Sequence, residues 1–277
     1  MIMSSGIAYS CGNVVLKSNY KGQLGRLGVV QGINSLQPID IVLDINGLST
    51  SAPRFTKVYA GVEQSPNSEI VHTILLDVYG RAYSTGSNSK GQLCQGDTVS
   101  RDIPQIIPME KRVVDVAIGG EHTLLLLEDG TVYGCGSNNV GQLGLGITKQ
   151  AKSPTRISLD SVLSISAGHS HSLFATQTRL YVTGSNQYKQ LCRSQSGNVR
   201  EPTLLGVAPI ENVNQFKAGK YSSYVLFNDK SVGSCGRNNY GQVSLEEEVR
   251  LLTNSYESLL YPTNYDSIFV HMICTFY

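Results

Sequence analysis

The side chains of this 277-residue chain best suited to hold a metal or attack a carbonyl are its five histidines and six cysteines. His72, His122 and His171 recur at a step of about fifty residues, a beat that belongs to a repeat architecture and not to a metal centre. Equivalent positions in successive repeats do not converge on one ion. Each imidazole is therefore expected to bond a backbone group beside a glycine turn and so satisfy a buried polar atom. His169 and His271 stand off the beat; His169 reads as a loop residue and His271 has no assigned role. Cys11, Cys135 and Cys235 share one repeat position, just before a glycine, which Thr85 and Thr183 fill elsewhere. Cys94 and Cys192 share another, directly after Gln-Leu. Residues equivalent by repeat lie in different units, beyond the ~4.4–6.8 Å Cα separation of a disulfide. None forms a Cys-x-x-Cys pair, so zinc is not expected. The expectation is reduced, buried thiols.

Two further arrangements resemble sites only in part. Gly134 and Gly136 with Gly141 look like a phosphate cradle, but a dinucleotide fingerprint opens a helix, and here another strand pattern follows. Glu246, Glu247 and Glu248 read as a solvated face. No Ser/His/Asp or Cys/His set recurs, so no catalytic residue, cofactor or metal is assigned.

The elements that carry these residues are set by the repeat. A turn motif, Gly-Ser-Asn-x-x-Gly-Gln-Leu, starts at Gly86, Gly136 and Gly184, the last with Lys189 for the second glycine. It returns at Gly236 as Gly-Arg-Asn-x-x-Gly-Gln-Val, and a worn copy begins at Lys17. The structural positions are thus Gly86, Asn88 and Gly91; Gly136, Asn138 and Gly141; Gly184 and Asn186; and Gly236, Asn238 and Gly241. Glycine supplies positive φ in such turns, asparagine can cap its own turn, and Gln-Leu reads as buried packing. Within one unit, Val113–Ala117, Thr123–Leu127 and Thr131–Cys135 read as short strands, with Asp129-Gly130 as a hairpin signal. Ile103-Pro104 and Pro154–Ile157 fit outer strands, where an edge tolerates proline. This predicts an all-β fold, a β-propeller of short four-stranded blades with about five repeats visible.

A single domain spans 1–277, with units at about 1–54 (partial), 55–112, 113–161, 162–212 and 213–250, then an irregular tail at 251–277. Pro38–Leu43 could be an outer strand, and Val62–Glu69 reads as a loop insertion on the first full blade, a place where repeat proteins often bind. Ser267–Phe276 reads as a last strand that either begins another blade or closes the ring with the N-terminal strands. Ring closure stays open between these, with an incomplete ring favoured because the motif fades after Gln242. Net charge is +1 and charged residues make up 16%, so no direct nucleic-acid binding is expected. No apolar run approaches the ~18 residues of a membrane span, and no signal-peptide pattern opens the chain. The expected location is intracellular, cytoplasmic or nuclear.

The residues Ala-x-Gly-x-x-His-Thr/Ser, Asp-Gly-x-Val-Tyr-x-x-Gly-Ser-Asn and Gly-Gln-Leu-Gly, repeated at this step, resemble the regulator of chromosome condensation repeat family. The match covers 55–245 well and 7–25 weakly. The resemblance implies a β-propeller, usually of seven four-stranded blades, acting mostly as an interaction platform. Some members are guanine nucleotide exchange factors for the small GTPase Ran and use a β-wedge in place of one regular turn; every clear turn here keeps its short spacer, and neither insertion in the first unit resembles the wedge. One branch senses ultraviolet light through a tryptophan cluster, and this chain has no Trp. The expected function is a non-enzymatic scaffold binding another protein, with exchange on a Ran-like small GTPase as the alternative. Candidate partner contacts are the turn-tip residues Lys21, Lys90, Tyr188 and Tyr240, with Glu63 and Asn67 in the insertion.

Overall fold

The computed structural model describes residues 9–12, 33–38, 53–65, 68–195, 197–205, 213–241 and 243. Lys21, Asn67, the segment 245–252 and the expected strand 267–276 lie outside them. Among the described residues every regular element is a β-strand. The chain divides into two compact units, 1–137 with 149–157, and 138–148 with 158–277.

In the first unit, β1 (Tyr9–Gly12) pairs with β2 (Ile33–Pro38), with Tyr9 opposite Pro38. The outer strand expected at Pro38–Leu43 thus ends where it was expected to begin; residues 39–43 lie outside the described residues. Next come β3 (Phe55–Ser65), β4 (Ser68–Asp77), β5 (Ala82–Gly86) and β6 (Arg101–Ile106), an antiparallel sheet in sequence order. The pattern repeats in β7 (Val113–Ile118), β8 (His122–Leu127), β9 (Val132–Gly136) and β10 (Ala151–Arg156). In the second unit, β11 (Val162–Ala167), β12 (His171–Thr176), β13 (Leu180–Gly184) and β14 (Val199–Leu204) form a third such sheet. Three strands of a fourth follow, β15 (Val213–Ala218), β16 (Ser222–Phe227) and β17 (Val232–Gly236). The strands obey burial. β8 is buried at every position, as its unbroken Leu run requires of a central strand. β6, β10 and β14 carry Pro104, Pro154 and Pro202 and are largely solvent-facing, as edge strands allow.

The turn motif is a closed hydrogen-bond unit. Asn88 Oδ1 accepts the Leu93 N–H (2.9 Å), Gln92 Oε1 accepts the Lys90 N–H (2.9 Å), and Asn88 Nδ2 donates to the Val99 carbonyl (3.0 Å). Asn138 and Asn186 repeat the first bond with Leu143 and Leu191, and Asn238 with Val243. The second glycine has φ +85° at both Gly91 and Gly141, and a Cβ there would lie 2.7 Å from Lys152 Cα or 2.6 Å from Arg200 Cα. The outer strand of the following sheet therefore packs directly on the turn.

Two expectations are corrected. Residues 62–65 and 68–71 are no loop: β3 and β4 stay in register out to Ser65 opposite Ser68, because the inserted residues carry enough pairing strand on both sides to lengthen the hairpin. The cysteines are not all reduced: Cys94–Cys135 and Cys192–Cys235 are disulfides with Cα separations of 5.4 and 5.3 Å. Equivalent cysteines do lie in different sheets, as the repeat requires. The bond instead joins inequivalent positions, because the residue after Gln-Leu lands against the third strand of the next sheet.

Candidate partner-binding surface

The repeat histidines are absorbed by the fold. His72 Nε2 lies 2.9 Å from Thr123 Oγ1, whose hydroxyl donates to the Gln92 carbonyl at 2.7 Å. In the second unit His171 Nε2 meets Ser223 Oγ at 3.0 Å, and that hydroxyl donates to the Gln190 carbonyl at 2.6 Å. Since the hydroxyl proton is spent on the carbonyl, the imidazole must donate through Nε2–H. The bond goes to a hydroxyl of the next blade, not to a backbone group beside the turn as expected. Nδ1 of both rings is buried without a hydrogen-bond partner, which fits an unprotonated nitrogen. Burial holds both histidines at a pKa of about 4. Among the described residues no group of three His, Cys, Asp or Glu side chains is placed to hold a metal.

The turn tips fare differently. Tyr240 is 88% exposed at the tip of the turn after β17. Lys90 is half-buried, its backbone tied to Gln92. Glu63 lies on β3 opposite Ile70. Tyr188 is brought into a cluster. Its ring centroid lies 5.2 Å from that of Tyr221, which lies 5.1 Å from His169 at a near edge-on angle of 69°. The Arg237 guanidinium sits 5.4 Å from the Tyr188 ring and 5.7 Å from the Tyr221 ring, and Lys220 Nζ approaches Tyr221 to 5.5 Å. These are edge-to-face and cation–π geometries. The rings and Arg237 are half-buried and Lys220 is exposed. The backbone fixes the positions: Arg237 N–H donates to the Tyr221 carbonyl (2.9 Å), His169 N–H to the Lys220 carbonyl (2.9 Å), and Tyr188 N–H to Gln190 Oε1 (2.8 Å).

Sequence reasoning named Tyr188 but missed Tyr221, Arg237, Lys220 and His169. A signal existed, because each departs from the repeat. Arg237 stands where Ser87, Ser137 and Ser185 are buried serines. Tyr221 stands where Glu121 and Ser170 precede their histidines, and Lys220 aligns with Gly120.

Models of the regulator of chromosome condensation repeat match residues 79–126 and 129–175, and a second model of the same repeat matches 113–142. Among solved structures, human WBSCR16 is similar at 25% identity and a TM-score of 0.66, over 82% of this chain and 56% of that one. Yeast RCC1 (Prp20), solved with Kap60 bound, is similar at 22% identity and a TM-score of 0.66, over 86% of this chain and 53% of that one. A Saccharomyces cerevisiae Prp20p structure, described with its binding to Gsp1p and histones, is similar at 22% identity and a TM-score of 0.64, over 86% of this chain and 55% of that one. The chain thus spans about half the length of the solved structures it matches. No curated protein sequence matches it. Residues 79–175 thus carry regulator of chromosome condensation repeats, and the blades share the fold of the solved propellers to which the chain is similar.

Proposed function

We propose that the protein is a non-enzymatic β-propeller scaffold that binds another protein through the surface around Tyr188, Tyr221 and Arg237. The observation that carries this reading is the gathering, at one end of the second unit, of several residues that depart from the repeat in size and charge. Residues that keep the repeat make the blade; residues that break it together have another use. Aromatic rings and arginine are the side chains that most often anchor protein interfaces. Tyr240 extends the set on the neighbouring turn. A Tyr188→Ala/Tyr240→Ala variant should fold normally and lose the partner that the wild-type chain retains in affinity purification with mass spectrometry. Equal capture by both forms refutes this surface.

The alternative, nucleotide exchange on a Ran-like small GTPase, is favoured by one observation, the lengthened β3–β4 hairpin that carries Glu63. The fold likeness to Prp20p, described with Gsp1p binding, points the same way. A nucleotide-release assay over a panel of small GTPases separates the readings. Faster release that is lost on deleting residues 62–71 would make exchange the function; no acceleration leaves the scaffold.

A further inference from the structure

We infer that the surface formed by Tyr188, Tyr221, Lys220 and Arg237 takes an acidic peptide segment of a partner protein, with a carboxylate received at Arg237 and neighbouring side chains laid on the tyrosines. This rests on the scaffold reading and narrows its partner.

The fold has no need of the guanidinium. Ser137 and Ser185 make the same backbone bond as Arg237, each N–H donating to the carbonyl of the residue before the head position at 2.8 Å, against 2.9 Å for Arg237 to Tyr221. A small hydroxyl suffices there in three other blades, so the arginine adds charge and planarity to a position already held. Its guanidinium is within cation–π reach of two rings, and a planar anion is the partner that such a fork of donors fits. Arg237 Nε is buried and has no hydrogen-bond partner, so the fold does not spend that donor. Lys220 puts a second positive charge on the same ring system, where the equivalent junction of the first unit carries Gly120 and the acidic Glu121.

The charge pattern chooses among anions. Nucleic acid binding draws its affinity from many phosphate contacts, and a chain of net charge +1 offers only a local pair of cations here. A peptide with one or two carboxylates between aromatic or apolar residues matches both the number of charges and the rings beside them.

The test uses the full chain and fluorescence anisotropy with a labelled glutamate–tyrosine copolymer, a lysine–tyrosine copolymer and a single-stranded oligonucleotide. The glutamate copolymer should bind saturably, and the other two should not. Arg237→Ser, which restores the residue of the other turns, should weaken binding about tenfold or more, and Arg237→Lys should fall between, since it keeps the charge and loses the fork. Lys220→Glu, at an exposed position, should also weaken binding and gives an independent reading should Arg237→Ser not fold. Absence of glutamate-copolymer binding, binding indifferent to all three variants, or oligonucleotide binding with the same Arg237 dependence would each overturn the inference. A photo-crosslinker at position 188 that captures a partner while the copolymer does not bind would sink the acidic preference and leave the scaffold reading standing.

Discussion

At the residue scale, the histidines show how much chemistry a repeat can neutralise. Their spacing already argued against a metal site, and the structure supplies what spacing could not: the acceptor is a hydroxyl of the following sheet, itself spent on a glutamine carbonyl. That partner was illegible because it lies one full repeat away in sequence. The consequence is a pH dependence. His72 and His171 are held at about 4 by burial, below the ordinary ~6.5 of an exposed imidazole. The unfolded chain therefore binds more protons than the folded one between those values, so stability is complete above pH ~6.5 and falls as pH drops towards ~4. Each histidine should cost up to about 3 kcal/mol at the lower end. Carboxylates titrate in the same range, so the informative quantity is a difference. Denaturant unfolding of a His72→Gln/His171→Gln variant should show a shallower loss of stability on acidification than the wild type; equal slopes would mean that the imidazoles are not neutral in the fold. The partner surface was less legible. Arg237 was visible as a break in Gly-Ser-Asn, but nothing in the sequence placed it beside Tyr188, some fifty residues earlier in the repeat.

At the element scale, strands and turns were readable because their causes are local. Alternation, the Asp129-Gly130 hairpin and edge prolines placed β6 to β10 within one to three residues. The disulfides were not, because they depend on which positions of neighbouring blades meet. Once the pairing is known, the sequence explains itself: Cys94 and Cys135, and Cys192 and Cys235, alternate with Gly144 and Thr183 at the same two slots. Gly144 has φ +68°, Cys94 +60° and Cys192 +52°, so the slot has one backbone conformation whatever fills it. A Cβ built on Gly144 lies 3.4 Å from Thr183 Cγ2. Gly144→Cys with Thr183→Cys should therefore form a third cross-link under mild oxidation, detectable as a lost pair of free thiols and a linked peptide. Persistent free thiols at both positions would show that the slot does not repeat. Reducing the native bonds should lower stability by about 2–4 kcal/mol each, the usual range for loops of this size. Disulfides persist chiefly in oxidising compartments, so the two pairs lend no support to the intracellular location expected from the sequence.

At the scale of the whole molecule, the sheet of β15 to β17 differs from the others in its burial. The third strands β9 and β13 are buried at four of five positions, whereas β17 is buried only at Cys235 among its five, with Val232 38% exposed. Its sheet has three strands among the described residues where the three preceding ones have four. The solved propellers it resembles are about twice as long as the stretch they share with it. Exposed β edges and half-covered apolar flanks favour association with another copy. The expected behaviour of this chain is therefore self-association, read as a dimer or larger species by size-exclusion chromatography with light scattering, and removal of residues 266–277 should change it little. A monomeric full chain that associates only after that truncation would show the opposite. That outcome would favour the closed ring over the incomplete one.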